Sequence, residues 1–262
     1  MTDLEESNRQ LTAAWQSWAR RCPSHLIANA EGLDIAFCGV PIPFFNMAVP
    51  DSPIRNWEAL TKHVETAAAY GTEAGVPWMM PLCHQLLPGP PEEARSVMES
   101  AGMLAAMPLT GMIADALTPS RASELEFRQA LDPETRAMIV EINARAYDMS
   151  MEEGAGPLSA ARMWDDEFGV VGFLEGQPVT AAATMNVDGR RYVCWVATLP
   201  EFQRRGFAGA VMRRSLELAA ERMGPVRTVL HATEAGRPVY ERMGFRAVAC
   251  YTVYTPGVYR TV

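Results

Sequence analysis

The chain lacks most of what marks the specialised protein classes. Its five cysteines, Cys22, Cys38, Cys83, Cys194 and Cys250, are scattered, odd in number and form no C-x-x-C pair. That argues against a disulfide framework and suits a reducing compartment. Only four histidines occur, with no H-E-x-x-H or comparable ligand spacing. The adjacent Cys83-His84 reads as the end of a buried strand, so no metal is expected. No apolar run is long enough to cross a bilayer, and no membrane partner is expected. The start of the chain, with Asp3, Glu5 and Glu6, has none of the character of a signal or transit peptide, which makes the cytoplasm the expected location. A basic excess is missing too. The net charge of −8 argues against nucleic acid as a partner, since phosphate-backbone binders carry a basic face.

What is present is 262 residues, 48% of them apolar, enough for two α/β domains with cores of their own. The most informative stretch is Gln203-Arg204-Arg205-Gly206-Phe207-Ala208. It follows a strand-like run, Tyr192 to Thr198, and opens a long helix whose apolar face carries Ala208, Val211, Met212, Leu216, Ala219 and Met223. At such a junction the first-turn N–H groups have no carbonyl partners. With the positive end of the helix dipole they make a socket for a pyrophosphate. Gly206 lets phosphates approach the backbone, and Ala208 is small for the same reason. Arg204 and Arg205 add charge at the rim. Arg213, Arg214, Glu217 and Glu221 fall on the opposite face, which reads as solvated.

Around this loop the second half has a regular pattern. Glu124 to Ala130 is a strand, and Asp132-Pro133 start a helix to about Tyr147. A short helix near Ala160 precedes three strands, Phe168 to Leu174, Val179 to Val187 and Arg191 to Thr198. Glu175-Gly176 and Asp188-Gly189 are their turns. After the long helix come a strand from Val226 to His231 and a short helix bearing Tyr240. Gly244 is a left-handed stop, and a last strand runs from Phe245 to about Thr255.

The Gln/Arg-x-x-Gly-x-Gly/Ala spacing after a strand, followed by GRPVYERMGF from Gly236 to Phe245, resembles the two signatures of the GNAT family of N-acetyltransferases. The resemblance covers roughly residues 122 to 256 and implies acetyl-coenzyme A as co-substrate. By family position the main chain of Val196, Ala197 and Thr198 binds the pantetheine arm, and Gln203, Arg204, Arg205, Gly206, Phe207, Ala208 and Gly209 hold the pyrophosphate. Tyr240 then points at the coenzyme sulfur and protonates the leaving thiolate. On packing grounds alone, a lone tyrosine on an apolar helix is more often a core residue with its hydroxyl capped. The implied reaction is transfer of an acetyl group to a primary amine of a small molecule or peptide, by direct attack in a ternary complex. Transfer of longer acyl groups or to oxygen, and a non-catalytic acyl-coenzyme A-binding module, are the alternatives.

An alkylammonium must lose a proton before it attacks, so a base or a water chain is needed. The strand that often supplies a glutamate in the family reads Thr228-Val229-Leu230-His231 here, and the frequent asparagine before the tyrosine is Thr233. His231 and Glu234 are substitutes, and the base stays unassigned. Glu152, Glu153, Asp165, Asp166 and Glu167 suit a cationic acceptor, or equally a solvated acidic loop. Trp164 and Trp195 are pocket walls or core.

The first half reads as a worn copy of the second. Arg95-Ser96-Val97-Met98-Glu99 and Gly102-Met103 align with Arg237-Pro238-Val239-Tyr240-Glu241 and Gly244-Phe245, and Glu31-Gly32 with Glu175-Gly176. Where the second copy has its phosphate loop, the first has Ser52-Pro53-Ile54-Arg55-Asn56-Trp57, without a glycine, and Met98 replaces Tyr240. The expected organisation is a degenerate GNAT-like domain over 1–118 and a catalytic one over 122–262. Each is a mixed, mainly antiparallel sheet flanked by helices, and a homodimer is left open.

Overall fold

The computed structural model describes residues 1–119, 122–149, 158, 160–165 and 167–257. By internal contacts the chain divides into two units. Unit 1 comprises Met1–Gly111, His231–Glu234 and Ala247–Val262, and unit 2 comprises Met112–Leu230 and Ala235–Arg246. This contact-based division differs from one drawn at 118–122 from the repeat, because the end of the chain is grouped with its beginning.

Unit 1 opens with α1 (Asp3–Arg21), fixed by a capping box. Thr2 Oγ1 accepts from the Glu5 N–H at 3.2 Å, and Glu5 Oε2 accepts from the Thr2 N–H at 2.7 Å. Strands β1 (Leu26–Ala30), β2 (Leu33–Phe37) and β3 (Asn46–Pro50) form an antiparallel sheet in that order. Then follow α2 (Trp57–Ala74), β4 (Met80–Cys83), α3 (Pro91–Ser100) and β5 (Met103–Ala114). The core packs Leu33, Ile35 and Phe37 of β2 against Leu60 and Val64 of α2, with Met98 of α3 fully buried. The chain's last strand, β11 (Arg246–Pro256), pairs antiparallel with β4, placing Tyr251 opposite Cys83 and Tyr254 opposite Met80. Strand β5 runs through both units.

Unit 2 begins with β6 (Glu126–Gln129) and α4 (Pro133–Tyr147). Asp132 caps α4, its Oδ1 accepting from the Thr135 N–H at 2.8 Å. Strands β7 (Glu167–Leu174), β8 (Gln177–Val187) and β9 (Arg190–Thr198) continue antiparallel from β6. Helix α5 (Phe207–Met223), strand β10 (Thr228–Ala232), parallel to β9, and the short helix α6 (Arg237–Arg242) complete the unit. The segment near Ala160 is a single 3₁₀ turn, Ala161–Trp164.

The element order α-β-β-β-α-β-α-β thus occurs twice, from α1 to β5 and from α4 to β11 with β6 preceding the second run. The turns repeat in backbone detail. Glu31 and Gly32 have φ of 54° and 84°, and Glu175 and Gly176 have 50° and 80°. Both pairs are left-handed two-residue hairpin turns, for which glycine in second place is the natural choice.

Candidate active site

The segment from β9 into α5 is built around a bulge. Ala181 pairs with Ala197 and Ala183 with Cys194, so Trp195 and Val196 together oppose Ala182. Trp195 takes a φ of 55°, unusual for a bulky side chain and characteristic of a bulge that re-aims the strand. Trp195 and Trp164 are both buried, with rings stacked at 5.8 Å between centroids. They are core side chains that brace the bulge.

Past the bulge, the four consecutive carbonyl oxygens of β9 all accept from side chains. Asn143 Nδ2 donates to Trp195 O at 3.1 Å, and the Tyr147 hydroxyl donates to Val196 O at 3.0 Å. Thr180 Oγ1 donates to Ala197 O at 2.8 Å, and Gln203 Nε2 to Thr198 O at 3.2 Å. Asn143 and Tyr147 lie one turn apart on α4, which puts both on one face. Leu199 N–H bonds Val179 O at 3.0 Å, and ladder alternation then turns the Thr198 N–H away from β8. On that other edge, registered pairing with β10 among the described residues is limited to Arg191↔Thr228 and Tyr192↔Val229. With its acceptors occupied, the end of β9 offers amide donors, a surface that favours a ligand rich in carbonyl oxygens.

Gly206 caps α5 with a φ of 84° and ψ of 2°, and its cap has no side-chain hydrogen bond. A Cβ at this position would meet no heavy atom within 4 Å. The space a side chain at Gly206 would enter is thus open, and the first-turn N–H groups of a helix point out past its cap. The equivalent helix in unit 1 differs. Asn56 caps α2, its Oδ1 accepting from the Ala59 N–H at 2.8 Å, and Trp57 Nε1 donates to Glu93 Oε2 at 2.9 Å. One copy has a free helix end; the other has a closed one.

The loop side chains are placed less simply than their types suggest. Arg204 is exposed, with φ of 62°. Arg205 does not stand at the rim as a free charge: it pairs with Glu124 at 2.9 Å and lies 4.6 Å over the Phe207 ring. Phe207 itself is buried against Leu125 and Val179, so only its main chain faces the helix end. Gly209 sits on α5 where it meets α6, its would-be Cβ 3.7 Å from Met243 Sδ and 3.8 Å from Val239. The α5 face carrying Arg213 is not simply solvated either. The connecting segment lies along it, with Arg213 Nη1 donating to Thr118 O at 2.6 Å.

Tyr240 is buried on α6, its ring folded over Gly236, where a Cβ would lie 2.9 Å from the ring. Any side chain at Gly236 would displace the phenol. Burial, and to a smaller extent the neighbouring Tyr147 phenol, push the Tyr240 hydroxyl well above the usual tyrosine range, so it stays protonated, a hydrogen-bond donor, at any ordinary pH. His231 lies in unit 1, its Nε2 3.2 Å from Ser7 Oγ and its ring edge-on to Tyr251 at 5.3 Å. Burial pulls its imidazole down to about 3, which makes it a weak acceptor for an ammonium proton. Glu234 is exposed. Of the acidic residues expected near an acceptor, Asp165 is exposed and Glu167 half-buried, while Glu152, Glu153 and Asp166 lie outside the described residues. Asn143, Tyr147 and Thr180 hold the β9 carbonyls and were missed by motif reading. The available signal was Asn143 and Tyr147 spaced four apart on α4.

Residues 161–247 match the family model for the acetyltransferase (GNAT) domain. Among solved structures, a GCN5-related N-acetyltransferase from Kribbella flavida is 18% identical over 95% of each chain, with a TM-score of 0.69. Another from Sphaerobacter thermophilus is 14% identical over 88% of this chain and 77% of its own, with a TM-score of 0.60. A tandem GNAT protein of the clavulanic acid biosynthesis pathway is 14% identical over 92% of this chain and 86% of its own, with a TM-score of 0.53. No curated protein sequence matches. Residues 161–247 thus match a GNAT acetyltransferase domain, and the fold of the chain is that of GNAT proteins, tandem ones included.

Proposed function

We propose that the protein is an acetyl-coenzyme A-dependent N-acetyltransferase that acetylates a primary amine of a small molecule or peptide, with its second copy catalytic. The observation that carries this reading is the contrast between the open, glycine-capped end of α5 and the side-chain-capped end of α2. The coenzyme supplies an acyl group already activated as a thioester. The first-turn N–H groups from Phe207 to Gly209 would hold its pyrophosphate, with Gly206 leaving them room and Arg204 adding charge. The outward amides of Val196 and Thr198 would bind the carbonyl groups of the pantetheine arm, while Ala197, turned toward β8 by the same alternation, would keep the strand in its sheet. Tyr240, kept protonated by burial, would donate to the sulfur as charge collects there.

The main work left to the protein is then alignment of the amine, which the rigid bulge supports. An amine screen read by free thiol release, with mass spectrometry of the acceptor, tests the reading. Acetylated amine and thiol should appear in equal amounts. Coenzyme binding without thiol release for any amine would leave a binding module instead.

A further inference from the structure

Unit 1 holds two cysteines, Cys22 and Cys38, that the fold brings together although they stand sixteen positions apart in the chain. Cys22 caps the end of α1, its N–H donating to Ala19 O at 2.9 Å. Cys38 follows the last residue of β2. Several contacts join the two places. His25 Nδ1 donates to Cys22 O at 2.7 Å, which folds the turn after α1 back onto the helix end. The β1–β2 ladder ends at Leu26↔Phe37, and one step further in the same register sets His25 beside Cys38. A Cβ at Gly39 would run into Ser24 O and lie 2.8 Å from Ser24 C, so the two segments stay in contact past the ladder.

The other route runs through aromatic packing. Cys38 N–H donates to Phe45 O at 3.1 Å, and the Phe45 ring meets the Trp18 ring at 5.8 Å between centroids. Trp18 lies one helical turn before Cys22, on the same face of α1. Leu33, Ile35 and Phe37 point into the core beside α2, so strand alternation turns Cys38 to the face that α1 covers. Both cysteines are free, 1% exposed, and their thiols hydrogen-bond one another. That bond, together with burial, pushes the Cys38 thiol well above its usual range. In the folded chain the pair therefore reacts slowly and, once joined, is shielded from reductants.

We propose that Cys22 and Cys38 are a disulfide site, closed by a small disulfide such as oxidised glutathione, that staples the end of α1 to the end of β2. The proposal does not depend on the acetyltransfer reading. One cysteine, as thiolate, attacks the glutathione disulfide, forming a mixed disulfide and expelling one glutathione thiolate. The second cysteine, losing its proton, then displaces the other glutathione and forms the bond between Cys22 and Cys38. The protein thiols give up two electrons and two protons, and one glutathione disulfide becomes two glutathione thiols.

The full chain, refolded from urea in buffers of graded reduced and oxidised glutathione, tests this, with the same buffers containing urea as the reference. Refolding gives the oxidant access before the thiols are buried. After alkylation of free thiols, trypsin releases one peptide, Cys22–Arg55, that contains both cysteines and no other. The disulfide leaves that peptide two hydrogens lighter and unalkylated. The equilibrium constant for the disulfide should be roughly ten- to a thousandfold larger in the folded chain than in urea. The oxidised protein should also melt several degrees higher, and dithiothreitol should reverse the gain. Equal or weaker disulfide formation in the folded chain would overturn the proposal, because the fold would then hold the two sulfurs apart or strained. A folded chain that keeps both thiols alkylatable, or carries only glutathione adducts, would overturn it too.

Discussion

The hydroxyl of Tyr147 donates to the main-chain carbonyl of Val196 at 3.0 Å, so a side chain from α4 holds a backbone group of the bulge in β9. The contact touches no reacting atom in the proposed chemistry, yet it helps decide which way the amide edge of the strand faces. Tyr147→Phe removes only the donor. The KM for acetyl-coenzyme A should rise roughly three- to tenfold, the worth of one net hydrogen bond, with the thermal midpoint little changed. Steady-state kinetics and a melting curve on the same preparation check this, and an unchanged KM would make the contact ornamental.

At Gly206 the backbone φ of 84° and the open space beyond combine. A β-branched residue is strained in this conformation and would also fill the space above the helix end. Gly206→Val should weaken acetyl-coenzyme A binding at least tenfold by calorimetry, and Gly206→Ala should weaken it less. Equal affinity in all three proteins would remove the helix end from the binding site.

Tyr240→Phe keeps the ring over Gly236 and deletes the hydroxyl. If that hydroxyl acts chiefly in the transition state, turnover should fall roughly ten- to a thousandfold while coenzyme affinity holds. A packing role predicts the reverse, a loss of about 1 kcal/mol in stability with turnover intact. Single-turnover rates, affinity and thermal midpoint on this one variant separate the two.

Asn56 and Trp57 close the helix end of unit 1, so coenzyme should bind once per chain. Calorimetric stoichiometry near two would show that α2 also accepts a pyrophosphate.

His231 gives a pH signature. Its imidazole titrates near 3 in the fold and near 6.5 when unfolded, so in that window the unfolded chain binds the extra proton. This contribution to stability is full above about pH 6.5 and is lost as the pH falls toward 3. His231→Gln cannot titrate. The midpoint difference between wild type and variant should therefore shrink or reverse on acidification, and parallel midpoint curves would deny the shift.

Much of unit 2 was legible from local pattern. Asp132-Pro133 starts α4 because an aspartate cap and a first-turn proline suit a helix end, and Glu175-Gly176 turns because glycine accepts left-handed φ. Gly206 was legible for the same kind of reason. The bulge was not, because a tryptophan at positive φ is a compromise imposed by pairing against β8 and has no local signature. Asn143 and Thr180 were missed because their donors meet carbonyls 52 and 17 residues away in the chain. Arg213 was misread as solvated because amphipathicity reports which face is polar, and says nothing of what crosses that face. The pairing of β11 with β4 was equally invisible, since the repeat assigns β11 to the second copy.

That pairing has a consequence for how the chain is made. A ribosome delivers β4 long before β11, so during synthesis the β11 edge of β4 must wait until β11 has been made. Until then an unpaired edge of Met80–Cys83 is available to any neighbouring strand, a hazard for aggregation. Synthesis of β11, rather than completion of the first half, is the moment when the N-terminal unit becomes whole.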